Sequence, residues 1–187
     1  MHVRPFALAI VLSLAFAPGA SAVQQAKSRY STIELSKCRP AGSSAWQCNG
    51  LPGYPIYVAT AQLHTFVSAG RAGHARRAAK QSLGVANTLF DGKSPRTAVE
   101  WRFIIRDKKV VPYATIVRYF TQSMEARGEV VVVTRVTDNE SCQVARIDAL
   151  ANSNAMVLAR EIADRQARTF DCRQEPAIAG ATGKSPM

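Results

Sequence analysis

Five side chains that could bind an anion lie in one short stretch of the chain. The spacing of apolar residues predicts a helix over 74–90, and the stretch surrounds the start of that helix. Free N–H groups at a helix N-terminus and positively charged side chains both favour a bound anion. The alternative is that these residues are solvated charges that keep the protein soluble. The candidate anion site consists of Arg71, His74, Arg76, Arg77 and Lys80.

A second group of arginines stands in the middle of four predicted strands. Side chains alternate between the two faces of a strand, so the odd-numbered residues of 99–105 are expected to face the core. If the strand registers align, the arginines share the open face with Glu100, Glu129 and Asp148. They would then form either a binding face or cross-strand ion pairs, which are worth little when exposed. These arginines are Arg102, Arg118, Arg135 and Arg146.

No pattern in the chain predicts a catalytic residue, a metal site or a cofactor. The HExxH motif of zinc hydrolases and the GxSxG motif of serine hydrolases do not occur. Residues 92–94 and 183–185 both read Gly-Lys-Ser, but a phosphate-binding loop needs another glycine where this chain has Asn87 and Ile178. Catalysis by carboxylates stays open as an alternative, since many enzymes carry no readable motif.

The four cysteines are expected to form two disulfides. An even set of cysteines in an exported chain usually forms a disulfide framework, although three pairings are formally possible. Cys38 and Cys48 enclose a stretch rich in turn-forming residues. Cys142 begins a predicted strand, and a helix that runs back over that strand returns Cys172 to its side. A zinc site is the alternative, but the chain has no CxxC pair.

The start of the chain has the features of a cleaved secretory signal peptide. A short basic region precedes an apolar stretch over 6–16, and Ala20-Ser21-Ala22 matches the pattern cut by signal peptidase. We expect cleavage after Ala22 and a periplasmic or secreted product without a transmembrane segment. The chain of 187 residues carries a formal net charge of +11, and removal of Arg4 lowers this charge to +10.

The remaining pattern predicts one disulfide-tied α+β domain over 23–175. Period-two alternation predicts strands over 30–35, 98–106, 110–120, 129–137 and 142–149, and a hairpin over 55–58 and 63–67. The segment 38–53 is expected to be a loop. A helix over 153–170 is expected to pack on this mainly antiparallel sheet, with the helix over 74–90 before the main strands. Residues 176–187 have no periodicity and are expected to be a disordered tail.

Several stretches resemble a group of small exported proteins of alphaproteobacteria. The resemblance lies in 46–54 (Trp-Gln-Cys-Asn-Gly-Leu-Pro-Gly-Tyr), 100–102 (Glu-Trp-Arg), 112–116 (Pro-Tyr-Ala-Thr-Ile) and 147–152 (Ile-Asp-Ala-Leu-Ala-Asn). It covers most of the chain after residue 22. The resemblance implies a Gram-negative periplasm and implies no activity, cofactor or site residue.

The charge and the expected compartment together suggest a function. The sequence predicts a non-enzymatic periplasmic protein whose basic surface binds an anionic partner: an anionic glycan, lipopolysaccharide or an acidic protein. Nucleic acid fits the charge but not the compartment, so it is not expected as a partner. The alternatives are a hydrolase of envelope polymers that uses carboxylates, and a small inhibitor protein.

Overall fold

The computed structural model describes residues 25–187, which form a sheet-rich fold. Strands account for 49% and helical residues for 14%, with a single short helix of 13 residues. The expectation of an α+β fold with two helices is therefore wrong. The predicted signal peptide lies outside the described residues. No helix within residues 25–187 is long and apolar enough to cross a membrane.

A large sheet forms the centre of the fold. Its strands lie in the order β1, β7, β8, β9, β10, β11, and β6 pairs with the end of β8. All these pairs are antiparallel except β10 with β11. Alternating valine, isoleucine and aromatic residues favour long strands here, and the four strands predicted over 98–149 are confirmed. The strands are β1 (Lys27–Ile33), β6 (Ala86–Thr88), β7 (Thr97–Arg106), β8 (Lys109–Gln122), β9 (Arg127–Val136), β10 (Ser141–Asp148) and β11 (Ala177–Ala179).

A smaller sheet packs on one face of the large one. It is an antiparallel meander of β2 (Arg39–Gly42), β3 (Ala45–Leu51), β4 (Tyr54–Ala61) and β5 (His64–Ala69). The segment 38–53, expected to be a loop, therefore contains both β2 and β3. The two sheets approach closely at Gly50, where an added Cβ would lie 2.7 Å from the ring of Trp101. Glycine is required there because no larger residue leaves room for the buried indole.

The helix predicted over 74–90 is absent. Two single 3-10 turns, Gly73–Ala75 and Arg77–Lys80, and the strand β6 occupy this region instead. Gly84 has a positive φ of 83°, a conformation that interrupts a right-handed helix. The buried apolar residues are Ala78, Leu83 and Leu89, whose spacing is too wide for one face of a helix. The alanine-rich segment that suggested a helix is instead irregular, and it packs these three apolar side chains into the core.

The C-terminal helix covers the other face of the large sheet. It consists of α1 (Ala155–Ile162) and a π-helical turn, Ala163–Ala167, and is shorter than the predicted 153–170. Its buried residues are mostly small, which lets the helix backbone lie close to the sheet. They are Ala155, Ala159, Ile162, Ala163 and Ala167, and they pack against Ile116, Val131, Val133 and Ile147 of the sheet.

Both alternating sets of side chains on β7 are buried. Val99 and Trp101 point to the smaller sheet and are fully buried. On the opposite face Glu100 is 1% exposed and Arg102 is 8% exposed, because the helix lies over them. Of the odd-numbered residues expected to face the core, Val99, Trp101 and Phe103 are buried, whereas Ile105 near the end of β7 is exposed. The face expected to be open is covered by the helix at Glu100 and Arg102.

Both expected disulfides are present. Cys38 bonds Cys48 with a Cα–Cα distance of 4.4 Å, and Cys142 bonds Cys172 with a distance of 5.7 Å. The second bond ties β10 to the chain that follows the helix. Two disulfides and no free cysteine in the described chain fit an oxidising or extracellular compartment.

The C-terminal segment is docked rather than extended into solvent. The sequence predicts a disordered tail, whereas β11 pairs with β10 and Ser185 is buried. The carboxylate of the fully buried Asp148 accepts hydrogen bonds from the Ser185 hydroxyl at 2.6 Å and from the amides of Lys184 and Ser185 at 2.8 Å. Burial alone would raise the pKa of Asp148, but these hydrogen bonds hold its pKa below the ordinary 3.8.

Removal of the Cys142–Cys172 bond should destabilise the protein. We expect the double substitution Cys142→Ala and Cys172→Ala to lower the free energy of unfolding by about 2 to 5 kcal/mol. Loss of Cys38–Cys48, which closes a loop of 10 rather than 30 positions, should cost about 1 kcal/mol less. Urea denaturation of the oxidised proteins measures both values, and equal stability of the parent and the first variant would contradict the role of the bond.

Asp148→Asn should destabilise the protein in a pH-dependent way. We expect a loss of about 1 to 3 kcal/mol at neutral pH, because the amide cannot accept all the hydrogen bonds of the carboxylate. A carboxyl with a lowered pKa stabilises the fold above its unfolded pKa and loses this effect as the pH falls through its folded pKa. The difference between parent and variant should therefore shrink below pH 3.8. A difference that stays constant across this range in denaturation experiments would refute the assignment.

Candidate functional site

The five residues of the candidate anion site do not surround a helix terminus. Arg76 donates to the backbone oxygens of Arg71, at 3.2 Å, and of Asp138, at 2.9 Å, and also to that of Asn139. It therefore holds two loops together. Arg77 forms an ion pair with the exposed Glu175.

The other three residues of this cluster lie at the surface. The ring of His74 packs edge-on against Tyr57, with 6.0 Å between the ring centroids. Arg71 and Lys80 are exposed and form no ion pair among the described residues. The five residues thus lie on one segment, but two of the four arginine and lysine side chains, Arg76 and Arg77, already bind other parts of the protein.

The four sheet arginines do not form one open face. Arg102, Arg118 and Arg135 share the face that carries the helix, while Arg146 lies on the opposite face. Arg146 donates to the carbonyl of Ser82 at 2.6 Å and to the side chain of Gln143 at 2.8 Å. The three arginines on the helix face each contact an acidic side chain, but only Arg118 with Glu129 is a cross-strand pair. Arg102 pairs with Asp164 of the helical segment, and Arg135 contacts Glu140 in the turn after β9.

Arg102 joins the sheet to the helix. Its guanidinium donates two hydrogen bonds to the carboxylate of Asp164, at 2.9 and 2.6 Å. The hydroxyl of Tyr113 donates to the same carboxylate at 2.6 Å, and Arg168 lies over the Tyr113 ring at 4.5 Å. Burial would raise the pKa of Asp164, but the bonds from Arg102 and Tyr113 lower it below the ordinary value. The carboxylate is therefore kept ionised as a structural partner.

Glu100 forms a second connection between the sheet and the helix. Arg160 donates to its two carboxylate oxygens at 2.8 and 3.0 Å. The hydroxyl of Ser28 donates to Glu100 and accepts from Arg102, so β1 links the two ion pairs. Burial opposes ionisation of Glu100, but the bonds from Arg160 and Ser28 lower its pKa overall. The four main charges of this network sum to zero.

The remaining two arginines on the helix face also bind parts of the protein. Arg135 donates to the carbonyl oxygens of Arg168 and Phe170, at 2.9 and 2.8 Å, and so satisfies acceptors at the end of the helix. Arg118 pairs with Glu129 on the neighbouring strand. Positive charge at a helix C-terminus also compensates the helix dipole.

A different group of cations is free of such partners. They lie where β1 begins and where β7 turns into β8, and we call this group the basic tip. All five are exposed, and none forms an ion pair with an acid among the described residues. The nearest acid in sequence is Asp107, within the turn itself. The basic tip consists of Lys27, Arg29, Arg106, Lys108 and Lys109.

Strand pairing brings the basic tip together. Lys27 stands opposite Phe103, three residues before the end of β7, and Arg106 stands opposite Lys109. Asp107 and Lys108 adopt positive φ values of 49° and 60°, as a tight hairpin turn requires. The turn therefore holds its cations at the end of three neighbouring strands.

An apolar strip runs through the basic tip. Residues opposite each other in an antiparallel pair point to the same side, so Lys27 and Phe103 share a face, as do Ile105 and Val110. The guanidinium of Arg29 lies 5.5 Å from the centre of the Phe103 ring. Phe103 is buried and Val110 is partly buried, whereas Ile105 is 42% exposed, so Ile105 is the exposed side chain of this strip.

Only some residues of the basic tip could be identified from the sequence. The run Arg106-Asp107-Lys108-Lys109 is visible as a basic connector between two predicted strands. Lys27 and Arg29 join it only because β1 pairs with β7, a contact between residues more than 70 positions apart. A local sequence pattern does not indicate that two such distant strands pair.

A groove lies at the opposite end of β8. Two cavities of about 510 and 340 Å³ share Asp91 and Phe120 in their walls. The groove contains cations, but Arg118 pairs with Glu129, and Arg96 pairs with Glu34. Arg127 in its wall is exposed and forms no ion pair among the described residues, but the three arginines of the groove stand among three acids, Asp91, Glu100 and Glu129. The groove should therefore attract an anion less strongly than the basic tip.

One serine–histidine contact resembles part of a hydrolase site. The hydroxyl of Ser82 lies 3.2 Å from His64 Nδ1, but it also accepts a hydrogen bond from the amide of Gly84. The side-chain nitrogen of Asn87 lies 3.4 Å from the same Nδ1, so it does not orient the ring from the other nitrogen. This geometry lacks the ordered nucleophile, base and orienting group of a catalytic triad.

The carboxylates also offer no support for acid catalysis. A general acid needs a raised pKa, whereas the pKa values of the buried Glu100 and Asp148 and of the partly exposed Asp164 are lowered. Within residues 25–187, no three metal-ligating side chains come together.

Comparison of the chain with protein-family models, with curated proteins and with solved structures gives no match.

The Glu100–Arg160 pair should respond unequally to loss of either partner. Arg160 is 37% exposed and can turn to water, whereas the side chain of Glu100 is 1% exposed and cannot. We expect Arg160→Met to cost about 3 to 5 kcal/mol, since it leaves a buried carboxylate without its partner. Glu100→Gln should cost about 1 to 3 kcal/mol.

The sign of the pH dependence separates the two variants. In Arg160→Met, burial is no longer opposed by the guanidinium, so the pKa of Glu100 rises above its unfolded value. This variant should therefore regain stability relative to Glu100→Gln as the pH falls through the raised pKa. Denaturation curves at several pH values test this, and equal losses at every pH would show that the pair is not buried as described.

Proposed function

We propose that this is an exported periplasmic protein that binds an anionic component of the cell envelope through the basic tip. The proposal rests on one observation: five exposed cations are gathered at the end of three strands and have no acidic partner there among the described residues. Elsewhere in the described residues, eight arginines form ion pairs with acidic side chains. Cations that remain unpaired keep their full attraction for a partner that carries phosphate or carboxylate groups.

The compartment forms part of the proposal. The small-x-small pattern ending at Ala22 supports export by signal-peptide cleavage, and the two disulfides fit an oxidising compartment. The periplasm of a Gram-negative cell satisfies both conditions and contains abundant anionic lipid and glycan. A protein with net charge +10 after cleavage would be attracted to such surfaces at moderate ionic strength.

Salt-dependent retention on immobilised polyphosphate tests the proposal. The test variant is Arg106→Gln, Lys108→Asn and Lys109→Gln, in which asparagine tolerates the positive φ at position 108. We expect this variant to lose affinity on the order of a hundredfold at low salt, because each cation near an anionic surface contributes about 1 kcal/mol.

The matched control removes the same number of charges from the cluster expected from the sequence. It carries Arg71→Gln, Arg77→Gln and Lys80→Gln, and it spares the structural Arg76. The control should elute close to the parent protein. Equal losses in the two variants would mean that net charge alone causes retention, and loss only in the control would move the site to the 71–80 segment.

A further inference from the structure

We infer that the basic tip docks on the surface of an anionic lipid bilayer, with the side chain of Ile105 entering the interface. This inference rests on the proposed function and specifies its partner. It concerns the same five cations together with the apolar strip formed by Phe103, Ile105 and Val110.

The placement of Ile105 distinguishes a bilayer from a soluble polyanion. A soluble anionic glycan offers charge but no apolar phase for an exposed aliphatic side chain. A bilayer offers both, because its phosphates lie above an apolar region that accepts isoleucine. Because side chains alternate along a strand, Ile105 shares the face of Lys27 and Arg29, whereas Arg106 and Lys109 point to the opposite face. A membrane that meets this face at the end of the sheet would contact Ile105 and the cations of β1 together, with Lys108 in the adjoining turn.

The surrounding cations have the form that interfacial binding requires. Long basic side chains place their aliphatic stems on apolar surface and keep their charge at the phosphate level. Arg29 is exposed and holds its guanidinium over the ring of the buried Phe103, a cation–π contact that keeps this charge on the same face as Ile105. Anionic lipid attracts such side chains within about one Debye length of the membrane surface.

The shape of this end of the molecule also allows docking. The hairpin turn at Asp107 and Lys108 is exposed. The helical segment forms its hydrogen bonds to β7 at Glu100 and Arg102, and Ile104 is the last residue of β7 in the apolar cluster under the helix. A two-residue turn can approach a flat surface without rearrangement of the fold.

Vesicle co-sedimentation tests the inference with the oxidised protein that remains after cleavage. The probes are vesicles of phosphatidylcholine alone, vesicles of phosphatidylcholine with phosphatidylglycerol, and soluble polyphosphate. The parent should bind the vesicles that contain phosphatidylglycerol and not the neutral ones. Ile105→Ser should weaken vesicle binding about three- to tenfold, because the serine gains nothing from the interface. It should leave polyphosphate binding unchanged.

Met124→Ser is the matched control. Met124 is a fully exposed apolar residue in the turn at the opposite end of β8, so its loss should not affect vesicle binding. If Ile105→Ser binds vesicles as tightly as the parent, or if the parent binds polyphosphate but not anionic vesicles, the lipid inference is overturned while the proposed function stands. If the parent binds neither probe, both are overturned.

Discussion

The large sheet is buried on both faces, and most other features follow from this constraint. The smaller sheet covers one face and the C-terminal helix covers the other. A strand in this position cannot place unpaired charges on either face, because an isolated buried charge is very costly. Glu100 and Arg102 are tolerated beneath the helix only because Arg160 and Asp164 extend from that helix to meet them. The helix thus supplies the partners as well as the apolar cover.

The same constraint explains where free charge can accumulate. Strand β7 has 10 residues and spans about 34 Å, whereas the helical segment of 13 residues spans about 20 Å. The hairpin therefore extends beyond the cover that the helix provides. Charged residues are permitted at this end without partners, and Arg106, Lys108 and Lys109 lie there. Lys27 and Arg29 lie on β1, the edge strand of the sheet. The cations of the basic tip do not participate in the network that joins the sheet and the helix, so binding at the tip would not compete with stability.

Part of this structure could be predicted from the sequence because it depends on patterns within single segments of the chain. The alternation of apolar and polar residues in 98–149 predicts four strands correctly. The side of the sheet on which a side chain lies depends only on the position of its residue in the strand. The amphipathic pattern beyond Ser153 reports a helix for the same reason, although the helix is shorter than expected. The pairing of Cys142 with Cys172 could be predicted because a helix that runs back along the preceding strand returns the chain to the start of that strand.

Other features depend on contacts between distant segments. The alanine-rich spacing of 74–90 imitates a helix, but Gly84 and the burial of Leu83 and Leu89 in the core produce an irregular crossing instead. The tail has no periodicity, yet Asp148 holds it through hydrogen bonds to Lys184 and Ser185. Sequence alone identified the arginines on the strands, but it could not show which of them meet acids on the helix.

We propose the basic tip as the anion-binding surface of this protein. Backbone amide chemical-shift mapping by NMR, during titration of the oxidised protein with soluble polyphosphate, tests it most directly. We expect progressive shifts confined to residues around Lys27, Arg29 and the turn between β7 and β8, with saturation that depends on salt. Shifts centred on residues 71–80 or on the groove around Phe120, with the hairpin unaffected, would contradict it.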